Sequence, residues 1–202
     1  MNRLLSKNRG SSLIEMMVAS AIGIIAIGII GGVFLTGQRV AKDRALELLL
    51  IQSLTSTMLV LKEDVQRAGF DGSNGLSLKL SGATDTIQLS GASAVGFAYF
   101  REGSPDSKDY RNIVYKLKDE KLKICEKGVT ASDEIITFDE VTSCYSLFDE
   151  KIIDVDTFNI TKKSLSSGNT HSSITDIDIE ASIPSANITK SIAITVKQRN
   201  WQ

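Results

Sequence analysis

The sequence predicts an α+β protein in which one long N-terminal helix packs on an antiparallel β-sheet domain. Apolar residues recur every three or four positions up to about Ala68, which is the period of an amphipathic helix. After the turn-rich segment 70–75, short runs rich in β-branched and aromatic residues follow instead. Because the helix comes first and the strands follow as a block, we expect helix and strands to form separate layers.

The helix begins with an apolar stretch long enough to cross a bilayer. Residues 16–35 form a run of twenty without a charge, which at about 1.5 Å per residue matches a hydrocarbon core of roughly 30 Å. A secretory signal peptide would have a shorter apolar run, followed by a cleavage site with small residues. A plain membrane anchor explains the run but not Glu15, whose carboxylate lies just inside it and needs a positive partner.

The residues before the apolar stretch resemble a known processing site. The segment Gly10-Ser-Ser-Leu-Ile-Glu15 follows a short basic leader and precedes the apolar helix, and this arrangement resembles the cleavage site of type IV prepilins. The resemblance implies that a prepilin peptidase cleaves after Gly10, that Ser11 becomes a methylated N-terminus, and that Glu15 becomes the fifth residue. It also implies that Glu15 pairs with the N-terminal ammonium group of a neighbouring subunit, because a carboxylate in that layer needs a cation.

By the same resemblance the fold is that of the type IV pilins, and we expect four parts along the chain. These are a leader at 1–10, a transmembrane or filament-core helix at 11–36, an amphipathic continuation at 37–69 and a periplasmic β-rich domain at 70–202. The continuation should end with a Glu63–Arg67 ion pair and a cap at Gly69. It carries the apolar stripe expected to pack on the sheet, namely Leu46, Leu50, Leu54, Met58, Leu61, Val65 and Ala68.

Two adjacent glycines, Gly31 and Gly32, lie near the end of the apolar stretch. Each glycine weakens a helix by about 1 kcal/mol relative to alanine, so the pair predicts a soft point in the helix. Pilins often have a helix breaker in this region, where the helix melts on packing into the filament. As an alternative, Gly28 and Gly32 form a G-x-x-x-G pair that would let two helices approach closely.

The segment from 113 to 125 predicts a hairpin with a two-residue loop at Asp119 and Glu120. This register places four lysines on one face of the hairpin: Lys116, Lys118, Lys121 and Lys123. They form either a solvated face or a docking patch for an acidic neighbour or DNA. The other predicted strands are Thr86–Ser90, Val95–Phe100, Glu134–Phe138, Ile152–Ile160, Ser173–Ile183 and Lys190–Lys197.

The two cysteines, Cys125 and Cys144, both belong to the predicted periplasmic part, where a disulfide can form and persist. The hairpin register puts Cys125 on the lysine face, so we expect Cys144 to approach it from outside the sheet. A bond between them would staple the intervening loop. The alternative, a reactive or metal-binding thiol pair, lacks a nearby histidine and a C-x-x-C spacing.

No arrangement of residues predicts an enzyme. His171 is the only histidine and lies in the polar segment 166–173, which we expect to be a loop. The sequence contains no phosphate-binding loop, and no cluster of histidine and cysteine predicts a metal. We therefore expect no catalytic site, no cofactor and no metal. Cleavage after Gly10 would leave 20 basic and 24 acidic residues, a net charge of −4, which argues against a general nucleic-acid scaffold.

Two further patches narrow the resemblance. The segment Asp64-Val-Gln-Arg-Ala-Gly-Phe-Asp-Gly72 and the closing Ile192-Ala-Ile-Thr-Val-Lys-Gln-Arg-Asn200 are similar to PilW-type minor pilins. This implies a subunit of the bacterial inner membrane that joins other minor pilins and the major pilin, primes the filament and stays at its tip. The implied partners also include the prepilin peptidase and N-methyltransferase, the inner-membrane assembly platform and a tip adhesin. The alternative is a GspJ-type pseudopilin of a secretion or competence system, with the lysine face binding cargo or DNA.

Overall fold

The computed structural model describes residues 12–72, 75, 77–167 and 170–198, with only the backbone at 165–167 and 170–172. The chain forms two compact units, Met1–Ala45 and Leu46–Gln202. Helix α1 covers Leu13–Arg67, which confirms the predicted long helix. The predicted Glu63–Arg67 pair is present at 3.4 Å, and Gly69 follows the helix with a φ of +88°. Such a left-handed residue is the usual helix cap, because glycine adopts this conformation without steric cost.

Between residues 16 and 35 the large side chains of the helix are apolar and exposed, and the hydroxyl groups in this region bond to the helix itself. The Ser20 hydroxyl donates to the Met17 carbonyl at 2.8 Å, and the Thr36 hydroxyl donates to the Gly32 carbonyl at 2.9 Å. A hydroxyl that bonds its own backbone needs no water, and this makes it tolerable in a bilayer. The helix has the length and composition to cross a membrane.

The second unit contains eight described strands in two antiparallel sheets, where the sequence predicted one sheet. Strands β1 to β5 form a five-stranded sheet in chain order, and β6 to β8 form a three-stranded sheet. The strands are β1 (Ile87–Leu89), β2 (Ala94–Phe100), β3 (Tyr110–Lys118), β4 (Lys121–Val129), β5 (Cys144–Ser146), β6 (Asp154–Ser167), β7 (Thr170–Ile183) and β8 (Ile188–Lys197). The predicted α+β class with antiparallel sheets is thus confirmed.

One apolar cluster joins the second half of α1 to both sheets. Leu54 and Leu61 of the helix share it with Phe97 of β2 and with Phe158 and Ile177 of the three-stranded sheet. All five side chains are at most 2% exposed. The predicted helical stripe is therefore the face on which this unit is built, since burial of such side chains is the main favourable term in folding.

The predicted strand Glu134–Phe138 is wrong. This segment instead contains two short 3-10 turns, Ser132–Glu134 and Phe138–Glu140, and it lies over the outer face of the five-stranded sheet. Phe138 packs there against Val114 and Cys125. Backbone N–H groups that a strand would pair are bonded to side chains instead, because the Ile136 N–H donates to Asn112 Oδ1 and the Thr137 N–H donates to Glu140 Oε2. Apolar alternation alone could not distinguish a covering loop from a strand.

Two other expectations about this unit need correction. Cys144 does not approach from outside the sheet, because it lies in the edge strand β5, directly opposite Cys125 of β4. The strand has only three residues and no apolar alternation, so the sequence pattern carries no signal for it. The polar loop predicted around His171 is also wrong. Its backbone lies in β7 opposite Ser166 of β6, so the backbone pairing of these two strands extends into this polar segment.

Candidate functional site

The predicted processing site falls at the start of the described chain. Gly10 and Ser11 lie outside the described residues. Glu15 lies in the first turn of α1, where its Oε2 accepts a hydrogen bond from the Ser12 backbone N–H at 2.9 Å. A carboxylate in this position complements the partial positive charge at a helix N-terminus. The Glu15 carboxylate therefore reaches the end of the helix, next to the residue that cleavage would make the new N-terminus.

The predicted soft point is helical in the structure. Gly31 and Gly32 lie within α1, and a Cβ atom added at either would have nothing within 4 Å. No contact within the described chain therefore requires glycine at these positions. Softening at this pair remains a prediction, because it would occur on packing into a filament.

The second half of α1 also leaves several apolar side chains exposed on the side away from its core. The exposed fractions are 67% for Leu48 and 53% for Leu59, although both belong to the helix that forms the core. With 3.6 residues per turn, these two side chains point about 160–180° away from Leu50, which is fully buried. Flanking positions are also apolar and partly exposed, namely Leu49, Ile51 and Val60. We call these five residues the outer stripe.

The lysine hairpin has the predicted register, with Lys116 opposite Lys123 and Lys118 opposite Lys121. Asp119 and Glu120 form the loop with φ values of 52° and 58°, the left-handed pair of a type I′ turn. The four lysines do not form a uniform positive patch, however. Acidic residues farther along the chain, Glu150 and Asp154, pair with two of them, and the hairpin pattern in the sequence does not predict these contacts.

Two of these lysines are held by acidic residues in β6 and in the loop just before it. Lys121 donates to the Asp154 carboxylate and to the carbonyls of Glu150 and Ile153, at 2.9 and 3.3 Å. Lys123 lies 3.9 Å from the Glu150 carboxylate. No such ion pair involves Lys116 or Lys118 within the part of the chain that the structure describes, so the candidate docking patch reduces to these two.

The two cysteines form a disulfide that crosses from β4 to the edge strand β5. Cys125 is fully buried, whereas Cys144 is exposed. The bond fastens the covering segment 126–143 at both ends, so it holds Phe138 and its neighbours against the sheet. Within the described residues, no group of three or more His, Cys, Asp or Glu side chains is placed to hold a metal ion.

Comparison with known protein families agrees with the N-terminal arrangement. The model of the prokaryotic N-terminal methylation motif matches residues 5–31, which include Gly10, Ser11 and Glu15. The model of prepilin peptidase-dependent protein B matches residues 43–198, well over half of the chain. The chain belongs to the prepilin peptidase-dependent protein B family. Searches of curated proteins and of solved structures found no match.

Membership of the prepilin peptidase-dependent protein B family gives the N-terminal features a common explanation. A family of this kind is pilin-like and structural, and its members are processed by the prepilin peptidase. The methylation motif and the apolar helix together indicate a membrane-anchored pilin-like protein. The resemblance to type IV pilins is thus confirmed at the level of the superfamily.

One structural feature of this prepilin peptidase-dependent protein was not predicted, namely a buried carboxylate between helix and sheet. Asp64 of α1 is 7% exposed and accepts hydrogen bonds from the hydroxyls of Tyr99 at 3.2 Å and Tyr115 at 2.6 Å. Burial raises the pKa of Asp64, and the two tyrosine hydrogen bonds and nearby Arg67 offset this only in part. Burial beside the carboxylate likewise raises the pKa of both tyrosines.

This clamp, formed by Asp64, Tyr99 and Tyr115, attaches the end of the helix to strands β2 and β3. The sequence signal for it is weak but present, because Asp64 follows Leu61 by three positions and so lies on the buried stripe. A buried carboxylate needs hydrogen-bond partners, and only the fold identifies which tyrosines supply them.

Proposed function

We propose that this chain is a minor pilin of a type IV pilus that helps to prime filament assembly and lies at or near the pilus tip. The observation that carries the proposal is the outer stripe of α1. Besides the face buried in its own core, this helix exposes apolar side chains such as Leu48 and Leu59 on its outer side, and grouped exposed apolar residues favour an interface with another subunit. A priming complex of minor pilins supplies such neighbouring helices.

In this proposal Glu15 sets the register between subunits. After cleavage between Gly10 and Ser11, the new ammonium group of one subunit pairs with the Glu15 carboxylate of its neighbour. The charge pair lies at the edge of the apolar layer, where an unpaired charge costs much free energy. Arrangements of subunits that form the pair are therefore favoured over those that do not. The major pilin, other minor pilins, the assembly platform and a tip adhesin are the partners that this role requires.

We expect Glu15→Ala to lower the number of surface pili at least about tenfold, since removing one partner of a buried ion pair leaves the other charge unpaired. The measurement is a count of sheared pili from a deletion strain complemented with wild type or variant. Gly10→Val, which blocks cleavage, is expected to give the same loss and a longer protein on an immunoblot.

Glu63→Ala provides the matched control for this experiment. Glu63 is an exposed acidic residue of the same helix, and its pair with Arg67 at 3.4 Å is of the kind that contributes little. Normal piliation is expected with this variant. Normal piliation with both Glu15→Ala and Gly10→Val would refute the proposed role.

The outer stripe gives a second test. The double substitution Leu48→Gln and Leu59→Gln should leave folding unchanged, because both side chains are exposed, but should reduce co-purification with other pilins about tenfold. Loss of two apolar contacts at an interface is sufficient for such a change. Ile152→Gln, which alters a 36%-exposed apolar residue in a loop, serves as the control. Equal co-purification of both variants with wild type would contradict the stripe's role.

A second candidate function rests on Lys116 and Lys118, the two hairpin lysines without an ion pair in the described part of the chain. A pseudopilin that binds cargo or DNA would use them as phosphate contacts. In that case DNA affinity should fall as the salt concentration rises. The slope of log affinity against log salt concentration should become shallower by about one with each of the substitutions Lys116→Gln and Lys118→Gln. For a priming subunit we expect no salt-dependent binding of a short DNA duplex in a fluorescence anisotropy titration.

A further inference from the structure

Four strands lie at the edges of the two sheets, and three of these edges are protected. On the edge of β6 the Val155 N–H donates to the Glu120 carbonyl at 2.8 Å. The Ile160 N–H donates to the Ala92 carbonyl at 2.9 Å, so this edge is tied to two turns of the five-stranded sheet. Ile87 of β1 is only 2% exposed, and β5 has only three residues. Proteins commonly cover or shorten edges in this way, because unpaired backbone groups invite another strand.

Strand β8 forms the fourth edge, and it is long and open. It has ten residues, no proline and no shift of register along β7. The Gln198 N–H donates to the Ser173 carbonyl at 3.0 Å, so by antiparallel alternation the even-numbered residues of β8 bond to β7. The backbone groups of the odd-numbered residues point outward, and no hydrogen bond to them occurs among the described residues. These residues are Thr189, Ser191, Ala193, Thr195 and Lys197.

The two faces of β8 differ in polarity beside this open edge. The odd-numbered side chains lie on the outer face of the sheet and are all exposed. On the inner face Ile192 and Ile194 are only partly buried, and they pack against the core together with Leu46 of the helix. A strand that continues the sheet would therefore match β8 with apolar side chains on its inner face and polar ones on its outer face.

Two carboxylates one strand behind the edge indicate which polar side chains fit. Asp178 and Glu180 of β7 lie on the outer face, directly opposite Ala193 and Ser191 of β8. Neither carboxylate has a partner within the described chain, whereas Asp176 in the same row is paired with a lysine of β6 at 2.7 Å. A residue added opposite Ala193 lies two strand spacings, about 9.6 Å, from Asp178. The flexible stem of a lysine can cross the small alanine side chain and place its ammonium group beside that carboxylate.

We propose that the edge of β8 binds an extended basic strand of another protein, which pairs antiparallel with residues 189–195. The main chain of that strand satisfies the outward N–H and C=O groups, and its lysine or arginine side chains pair with Asp178 and Glu180. A second copy of β8 fits less well. Paired about Ala193, it would place only alanine and hydroxyl side chains opposite Ala193 and Ser191 and leave both carboxylates unpaired. The proposal is independent of whether the protein primes a pilus.

The test uses hydrogen–deuterium exchange of the full-length protein in nonionic detergent micelles. The probe is the peptide acetyl-Thr-Lys-Val-Lys-Val-Thr-amide, in which the lysines share the outer face with Ala193 and Ser191. In this register the lysine N–H groups point toward β8 and the valine N–H groups point away from it. We expect the probe to slow exchange in the fragment containing residues 189–195 about tenfold, in a saturable manner.

Two methylated isomers of the probe supply the matched control. One carries a methyl group on both lysine backbone nitrogens, and the other carries it on both valine backbone nitrogens. The isomers have the same composition and charge, but only the first loses the N–H groups that face β8. The valine isomer should therefore act like the probe, and the lysine isomer should have no effect.

Two sets of variants localise the effect. Ala193→Pro removes an outward N–H without touching the β7 pairing, and proline is tolerated at edge positions, so the probe concentration at half effect should rise about fivefold. Ala193→Ser keeps the N–H and should leave that concentration unchanged. The double substitution Asp178→Asn and Glu180→Gln should raise it about threefold, since partly exposed ion pairs contribute modestly. Asp133→Asn with Asp139→Asn removes the same charge from the covering segment and should have no effect.

Several outcomes would overturn the proposal. These are no slowing with the probe, equal slowing with both methylated isomers, or an unchanged half-effect concentration after loss of the Asp178 and Glu180 charges. Protection of residues 189–195 that grows with protein concentration alone would assign the edge to a second copy of this chain instead. Comparison of the two isomers on the wild-type protein remains decisive even if Ala193→Pro does not fold.

Discussion

Replacement of Asp64 by leucine is expected to lower the free energy of unfolding by about 3 kcal/mol. The substitution leaves the hydroxyls of Tyr99 and Tyr115 without their acceptor, and each orphaned buried group costs about 1–3 kcal/mol. Both tyrosines are at most 3% exposed, so water cannot replace the carboxylate without opening the core. Denaturant unfolding of the full-length protein in detergent, followed by near-ultraviolet circular dichroism, measures the change.

A triple variant distinguishes orphaned hydroxyls from lost packing. Asp64→Leu combined with Tyr99→Phe and Tyr115→Phe removes all three partners, and a network removed as a whole is often nearly neutral. We therefore expect the triple variant to be more stable than Asp64→Leu alone. If the tyrosine substitutions only add to the loss, the clamp contributes through packing and the hydrogen-bond argument is wrong.

The same carboxyl group makes stability depend on pH. Because its pKa is raised in the folded state, Asp64 binds its proton more tightly in the folded than in the unfolded chain. Its contribution is thus fully present below the ordinary carboxyl pKa and is lost as pH rises through the raised value. As pH rises over this range, the free energy of unfolding of the wild-type protein should fall relative to that of Asp64→Asn. Carboxylates whose pKa is lowered, such as Asp176 beside Lys163, have the opposite effect. Because both proteins contain them, their effect cancels when the two free energies are subtracted.

Removal of the disulfide is expected to have an effect of similar size. Cys125 and Cys144 are separated by 19 positions, and opening a loop of this length lowers stability by about 3 kcal/mol through the entropy of the unfolded chain. For a protein of this length the double substitution Cys125→Ala and Cys144→Ala should lower Tm by about 6–12 °C. Differential scanning calorimetry in detergent measures this shift.

Treatment of the wild-type protein with a thiol reductant provides the matched comparison. The reduced protein should melt at the same temperature as the double variant, and the reductant should not alter the variant further. Hydrogen exchange in the segment 126–146 should rise in both, because β5 and the covering segment are held by the bond. An unchanged Tm in the double variant would show that β5 and its loop are held by packing alone.

The sequence by itself determined the features that depend on neighbours along the chain. The apolar period predicts one long helix that ends near Ala68, as α1 does at Arg67, and the alternation around Asp119 and Glu120 predicts the lysine hairpin and its register. The spacing of Gly10, Ser11 and Glu15 carries the resemblance that the methylation motif supports. Each of these signals lies within a few turns of helix or one pair of strands, where local free energies decide the conformation.

Only the tertiary structure decided the features that join distant parts of the chain. Asp64 meets Tyr99 and Tyr115 across 35 and 51 positions, and Lys121 meets Asp154 across 33. No periodic pattern of residues in the sequence indicates such pairings, because they depend on how the helix and two sheets pack. The same packing decides that Leu48 is exposed while Leu50 is buried, although both are leucines of one helix. The sequence therefore indicates a pilin-like protein, and the fold shows which of its surfaces are left for partners.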